Sequence, residues 1–245
     1  MEKSTQLGMN RTGADMSPIH SKAMLKGQSL FKVGPIDSTG MAAIRSSYVQ
    51  LKEPVGSVPL PGTFKGVLTS GKEKMTGHNP EVLINKLGER LAFERSGVRL
   101  YDALIMKIEA DKADEGKDIV SINLLKQFRE EEYEHFLMVK EVMESVGADP
   151  TAQTPDADVA GLAALGIQKV MTEPRTSLSQ CLEALLTAEM TDNGAWELLV
   201  ELCEEMGLDD TSAEFRRALA QEEKHLEQIK SWVRQLTMGQ AEKAL

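Results

Sequence analysis

Apolar residues recur at steps of three and four along four long stretches of this chain. From Asn79-Pro80-Glu81 onward, Leu87, Leu91, Glu94, Val98, Tyr101, Ile105 and Ile108 fall on one line. That spacing is one face of a helix. Asn is a good N-cap, Pro suits the first helical position, and an acid favours a helix N-terminus. A second stretch, about 118–146, carries Leu125, Phe128, Glu132, His135, Val139 and Val142, with Gly147 and Pro150 as stop signals. A third begins near Thr176 and ends near Gly207, through Leu178, Cys181, Leu185, Glu189, Asp192, Trp196, Leu199 and Cys203. The fourth follows Asp209-Asp210-Thr211 and runs to about Leu236, through Phe215, Leu219, Glu222, His225, Ile229 and Trp232.

The long connection 148–175 includes a short helix over Asp156 to Thr172, apolar through Val159, Leu162, Leu165, Ile167 and Val170. A link of this length can carry the chain along a bundle, so that the third helix starts at the required end. Residues 79–245 are therefore expected to form an all-α four-helix bundle with a long crossover between helices two and three. Residues 1–78 sustain no such period. They are rich in Gly, Pro, Ser and Lys, and predict an extended or disordered N-terminal arm.

Some core slots hold polar residues. Glu132–His135 and Glu222–His225 are both Glu-x-x-His, and each follows a lone glutamate on the preceding helix, Glu94 and Glu189. Helices one and two thus resemble helices three and four, as an internal repeat would. Residues three apart share a helix face, so each Glu-x-x-His can reach one ion from one side. Four carboxylates against two divalent cations come close to neutrality, which makes their burial tolerable. Carboxylate with imidazole suits iron or manganese better than thiolate-loving metals. Known di-iron and di-manganese bundles use this ligand set. Asp192, three after Glu189, adds a fifth acid. Gly97 is expected to serve close packing or leave room near Glu94. Asn193-Gly194 predicts a bulge or loosened turn. Glu130, Glu131, Glu134 and Glu223 read as solvated charges.

Charge sharpens the division of the chain. The whole carries -10, but residues 1–78 hold 10 Lys+Arg against 5 Asp+Glu, while residues 79–245 hold 18 against 33. A basic arm precedes an acidic body, and an arm that wraps its own bundle or a neighbouring subunit would use that complementarity. The net charge argues against a nucleic-acid partner. Cys181 and Cys203 lie in one helix, 22 residues apart, roughly 33 Å at the helical rise, too far to bridge. A reducing compartment follows. With no signal peptide and no bilayer-length apolar run, the expected localisation is cytoplasmic, with no membrane partner.

Across roughly residues 80–238 the pattern resembles the ferritin-like superfamily, and within it the rubrerythrin-like di-iron proteins. The resemblance implies Glu94, Glu132, His135, Glu189, Glu222 and His225 as ligands of two iron ions, with manganese as the alternative. Rubrerythrins carry a further acid three residues after the third-helix Glu, where Asp192 stands, one methylene shorter. They also carry a tyrosine seven after the first-helix Glu, where Tyr101 stands and would have a redox or proton role. The rubredoxin-like cysteine pairs of that family are missing. The implied activity is reaction of Fe(II) with O2 or H2O2, of peroxidase or ferroxidase type, with an unspecified electron donor. The alternatives are a manganese catalase-like or di-iron hydroxylase centre, or a non-enzymatic iron-binding, storage or assembly protein. The resemblance implies a homo-oligomer, a homodimer by default, which the arm would help to assemble.

Overall fold

The computed structural model describes Gly13 and residues 16–31, 38–50, 54–59, 79–110 and 118–242. Among them every regular element is helical: α1 Pro18–Ser29, α2 Thr39–Gln50, α3 Pro80–Ala110, α4 Ile122–Ser145, α5 Pro155–Thr172, α6 Leu178–Glu205 and α7 Asp209–Glu242. The chain divides into two units, one over Thr5–Pro54 and one holding Val55–Leu245.

The first unit contains α1 and α2. These are helical where no sustained period was legible. Among the side chains described in them none is buried: Ile19, Met24, Leu25, Ile44, Tyr48 and Val49 are all exposed.

In the second unit, α3, α4, α6 and α7 form the four-helix bundle, with α3 packed on α4 and α6, and α7 on α6 and α4. Pairings across the helices fix their directions. Asp102 meets Arg129 and Glu109 meets Lys126, so α3 and α4 run antiparallel. Glu204 meets Ser212 and Arg216 at the α6–α7 turn. Arg90 meets Asp192 while Lys107 meets Cys181, so α3 and α6 are antiparallel as well.

The crossover does what its length suggested. The α5 N-terminus is tied to the start of α3, where Asn85 Oδ1 accepts from Asp156 N at 3.0 Å. Its other end is tied near the end of α3, where Lys107 Nζ donates to Glu173 O at 2.8 Å. The chain has travelled the length of the bundle along α3 before α6 begins. Gly88 makes this fit: a Cβ there would strike the Thr154 side chain that caps α5. Val159, Leu162 and Leu165 point outward, and α5 is seated through Ala157, Ala164 and Met171. Small residues let α5 lie close, and the larger ones are left on its outer face.

Local chemistry sets the ends. Ser121 caps α4, and Ser177 with Gln180 forms a capping box on α6. Gly147 and Gly207, at φ 82° and 68°, terminate α4 and α6 through bonds such as Ala148 N to Met143 O at 2.9 Å and Leu208 N to Cys203 O at 2.8 Å.

Two apolar clusters fill the interior. One gathers Leu104, Leu125, Phe128, Leu182, Leu185, Ile229 and Trp232. The other gathers Leu87, Val139, Met143, Trp196, Cys203 and Phe215, with Val58 packed against it. The polar core slots lie between the two.

Candidate metal centre

The helical period brings the predicted residues together. Glu94, Glu132, His135, Glu189, Asp192, Glu222 and His225 are all at most 3% exposed. Donor atoms within 4.8 Å of one another define three overlapping sets: Glu132, Glu189, Glu222 and His225; Glu94, His135 and Glu222; and Glu94, Glu132, Asp192 and Glu222. Glu222 belongs to all three and Glu132 to two. The sets around the two histidines meet at Glu222, and the third set links Glu94 and Asp192 to Glu132 and Glu222.

Glu222 sits between the histidines. Its Oε1 is 2.7 Å from His135 Nδ1 and its Oε2 is 3.1 Å from His225 Nδ1. Both rings therefore turn Nδ1 inward, and each Nε2 is held from outside by the opposite Glu-x-x-His helix. His225 Nε2 lies 2.7 Å from Glu131 Oε2, and His135 Nε2 lies 3.1 Å from Gln221 Oε1. If each Nε2 carries the ring proton, each Nδ1 is left as the free donor, as metal-ligating imidazoles require.

The donor set fits divalent metal on a second count. Glu94 Oε2, Glu132 Oε2, Glu189 Oε2 and Glu222 Oε1 are buried with no hydrogen-bond partner among the described residues. Buried carboxylate oxygens left unmatched are costly, and cations would satisfy all four.

Glu131 corrects the sequence reading. It is not a plain solvated charge but the outer partner of His225, whereas Glu130, Glu134 and Glu223 are exposed as expected. Its position immediately before Glu132, matched by Gln221 before Glu222, was the available signal.

Arg90 was missed altogether. It is 2% exposed, with Nε 2.9 Å from Glu94 Oε1 and a terminal nitrogen 2.5 Å from Asp192 Oδ1. It also donates to Asp192 O at 3.2 Å, and its guanidinium lies 4.4 Å from the Phe93 ring centroid. Leu83, Leu87, Arg90 and Glu94 follow the same four-three-four spacing that revealed the glutamates. Five carboxylates less this one guanidinium leave four negative charges, the number two divalent cations cancel.

Tyr101 donates to Glu189 Oε1 at 2.5 Å. Burial, then the neighbouring Glu189, hold its hydroxyl well above its ordinary value, so it stays a donor at neutral pH.

One glycine expectation holds and one is corrected. Gly97 serves close packing, and the group it admits is Glu132: a Cβ would stand 2.8 Å from Glu132 Cδ and closer still to Oε2. Asn193-Gly194 makes no bulge, and α6 continues through it. The Asn193 side chain donates to Glu189 O at 2.9 Å and Glu222 O at 3.1 Å, pinning α6 to α7 beside the site. A Cβ at Gly194 meets nothing within 4 Å. Gly194→Ala is thus expected to gain up to about 1 kcal/mol from helix propensity. Gly97→Ala, with the same gain, should displace Glu132 and weaken metal binding. Urea melts and metal titrations of both variants check this, and undiminished metal binding by Gly97→Ala would count against the assignment of Glu132.

A model of the ferritin-like domain matches residues 109–238. The chain belongs to the ferritin-like family. The matched span covers every candidate donor of this ferritin-like chain except Glu94, and Tyr101 also lies outside it. No curated protein and no solved structure gave a significant match. Among the described residues no helix is long and apolar enough to cross a membrane.

In the metal-free ferritin-like bundle, Glu94, Glu132, Glu189 and Glu222 are pushed well above the carboxylate range, by burial first and then by one another and Asp192. Burial opposes charge on His225, but hydrogen bonds to Glu131, Glu132 and Glu222 prevail and raise it. The native state therefore keeps protons that the unfolded chain releases, and such stability is lost as pH rises. Two groups have the opposite sign. Glu131 is lowered to about 2, chiefly by its bond to His225, and His135 is lowered by burial. Their contributions are already complete above about pH 7.5, since their unfolded values lie near 4.5 and 6.5. Between about pH 7.5 and 9 the metal-free protein should lose stability, by up to about 1.4 kcal/mol per pH unit for each proton retained. Metal binding displaces those protons, so the stabilisation conferred by metal should grow over the same range. Urea midpoints with and without metal test the opposed slopes.

Proposed function

We propose that this ferritin-like bundle is a rubrerythrin-like di-iron oxidoreductase acting on O2 or H2O2. The observation that carries the reading is Glu222, one carboxylate with an oxygen toward Nδ1 of each histidine. Glu94 and His135 would hold one ion, Glu189 and His225 the other, with Glu132 and Glu222 shared. Bound iron would supply the electrons that reduce the oxidant.

The remaining roles belong to the protein. Tyr101 holds Glu189 in place through its hydroxyl. Arg90 holds Asp192, which makes Asp192 an outer carboxylate in this reading and not a seventh ligand. Phe128 packs on His225 at 4.1 Å and Trp196 edges His135 at 5.6 Å between ring centroids, keeping water from both imidazoles.

Iron-loaded protein should consume peroxide in the presence of an artificial electron donor, and metal-free protein should not. Equal turnover without metal would reject the proposal. Manganese fits the same donors, so a manganese catalase-like centre is the second reading. Donor-independent oxygen release by manganese-loaded protein would favour it.

A further inference from the structure

The two histidines share one inner carboxylate but have unlike outer partners. Each faces Glu222 through Nδ1, with Glu94 added in the His135 set and Glu132 and Glu189 in the His225 set. Outside, the ring of His225 meets a carboxylate, Glu131, at 2.7 Å, and the ring of His135 meets an amide, Gln221, at 3.1 Å. The two partners occupy the same position in the internal repeat, one residue before the Glu of each Glu-x-x-His. The repeat is thus broken by charge at the outer partners, as it also is where Arg90 stands against Leu185 and Asp192 against Gly97.

From this we infer that the two halves bind metal unequally: the His225 half takes a divalent transition-metal ion first and holds it more tightly, with Glu131 as the positioning residue that sets the order. The inference rests on reading the cluster as a two-metal centre. A carboxylate on the outer ring nitrogen fixes the tautomer, makes the inner nitrogen a stronger donor, and adds a negative charge one imidazole away from the cation. An amide oxygen fixes the tautomer but adds no charge. Glu131 is 18% exposed, so solvent screens part of its charge, and the effect should fall in the ordinary range for outer partners of metal ligands. Arg90 acts in the same direction, because its guanidinium draws on Glu94 in the His135 half.

A chain with unequal halves can sit half-loaded over a range of metal concentrations, and can hold two different ions. Its loading would therefore be ordered.

The test is anaerobic titration of the full metal-free chain with Co(II) against a chelator, read by the visible spectrum, for wild type, Glu131→Gln and Gln221→Glu. Wild type should bind in two steps at least about tenfold apart. Glu131→Gln should weaken the tight step about 10–100-fold and leave the weak step in place, closing the gap from above. Gln221→Glu should tighten the weak step and close it from below, an outcome that a merely structural role for either residue would not produce. Two ions bound with the same separation in all three proteins, or both steps weakened alike in both variants, would overturn the inference while leaving the two-metal reading intact. Failure of the wild type to take up two Co(II) ions would reject that reading itself.

Discussion

Glu222→Ala should strip both metals from the protein, whereas Glu94→Ala or Glu189→Ala should each strip only one. Glu222 contributes to every donor set in the site; Glu189 contributes only to the set around His225, and Glu94 only to sets that leave out Glu189 and His225. A shared carboxylate removes a ligand from both ions and also the negative charge that lets two cations lie close together. After anaerobic Fe(II) loading, metal content should fall from about two per chain to near zero in Glu222→Ala, and to about one in the single-centre variants. The loss would not reflect unfolding. In metal-free protein Glu222 is repelled by Asp192 and Glu94 and held far above its ordinary range by burial, so its removal should leave the empty bundle as stable as wild type or more so. Full retention of both irons by Glu222→Ala would dismiss the shared-ligand geometry.

Arg90→Leu should have the opposite character and damage the metal-free protein most. The guanidinium is the only cation in direct contact with Glu94 and Asp192 among the described residues, and all three are buried. Breaking a buried pair by removing one partner costs about 3–5 kcal/mol, because the remaining charge is left uncompensated. Urea unfolding without metal should show a loss of that size. Arg90→Leu combined with Asp192→Asn should lose less than the two single changes added together, since the residues share one interaction. Loading with divalent metal should recover part of the stability, because cations then supply the charge that Arg90 supplied. A metal-free Arg90→Leu protein as stable as wild type would dismiss the buried Arg90 pairs as a source of stability.

Much of this was legible because a bundle helix repeats every three or four residues, so a polar residue in a core slot announces itself. That rule, with the repeated Glu-x-x-His motif, picked out the six buried polar residues that the fold brings together, and the length of the connection indicated the crossover. What the rule could not convey was contact between helices. Glu131 looked solvated because one edge of it is, and only the approach of α7 shows that His225 lies within reach. Gly97 read as a close-packing position, but only the fold shows that the group it makes room for belongs to α4. Arg90 obeyed the periodicity and was passed over because arginine is seldom buried. The apolar residues of α5 showed the helix but not which side faces the bundle, and that side is set by Ala157, Ala164 and Met171.

The outer clamps on the two histidines also bear on how such a chain could have arisen. Each helical hairpin carries one lone glutamate, one Glu-x-x-His and one clamp, yet the clamp serves the histidine of the other hairpin. A single ancestral hairpin would therefore have had no finished half-site, and would have gained one only by pairing with a second copy of itself. Joining two such hairpins through α5 would have made that pairing permanent. In one chain the two clamp positions need not match, and Glu131 against Gln221 is one place where the hairpins differ.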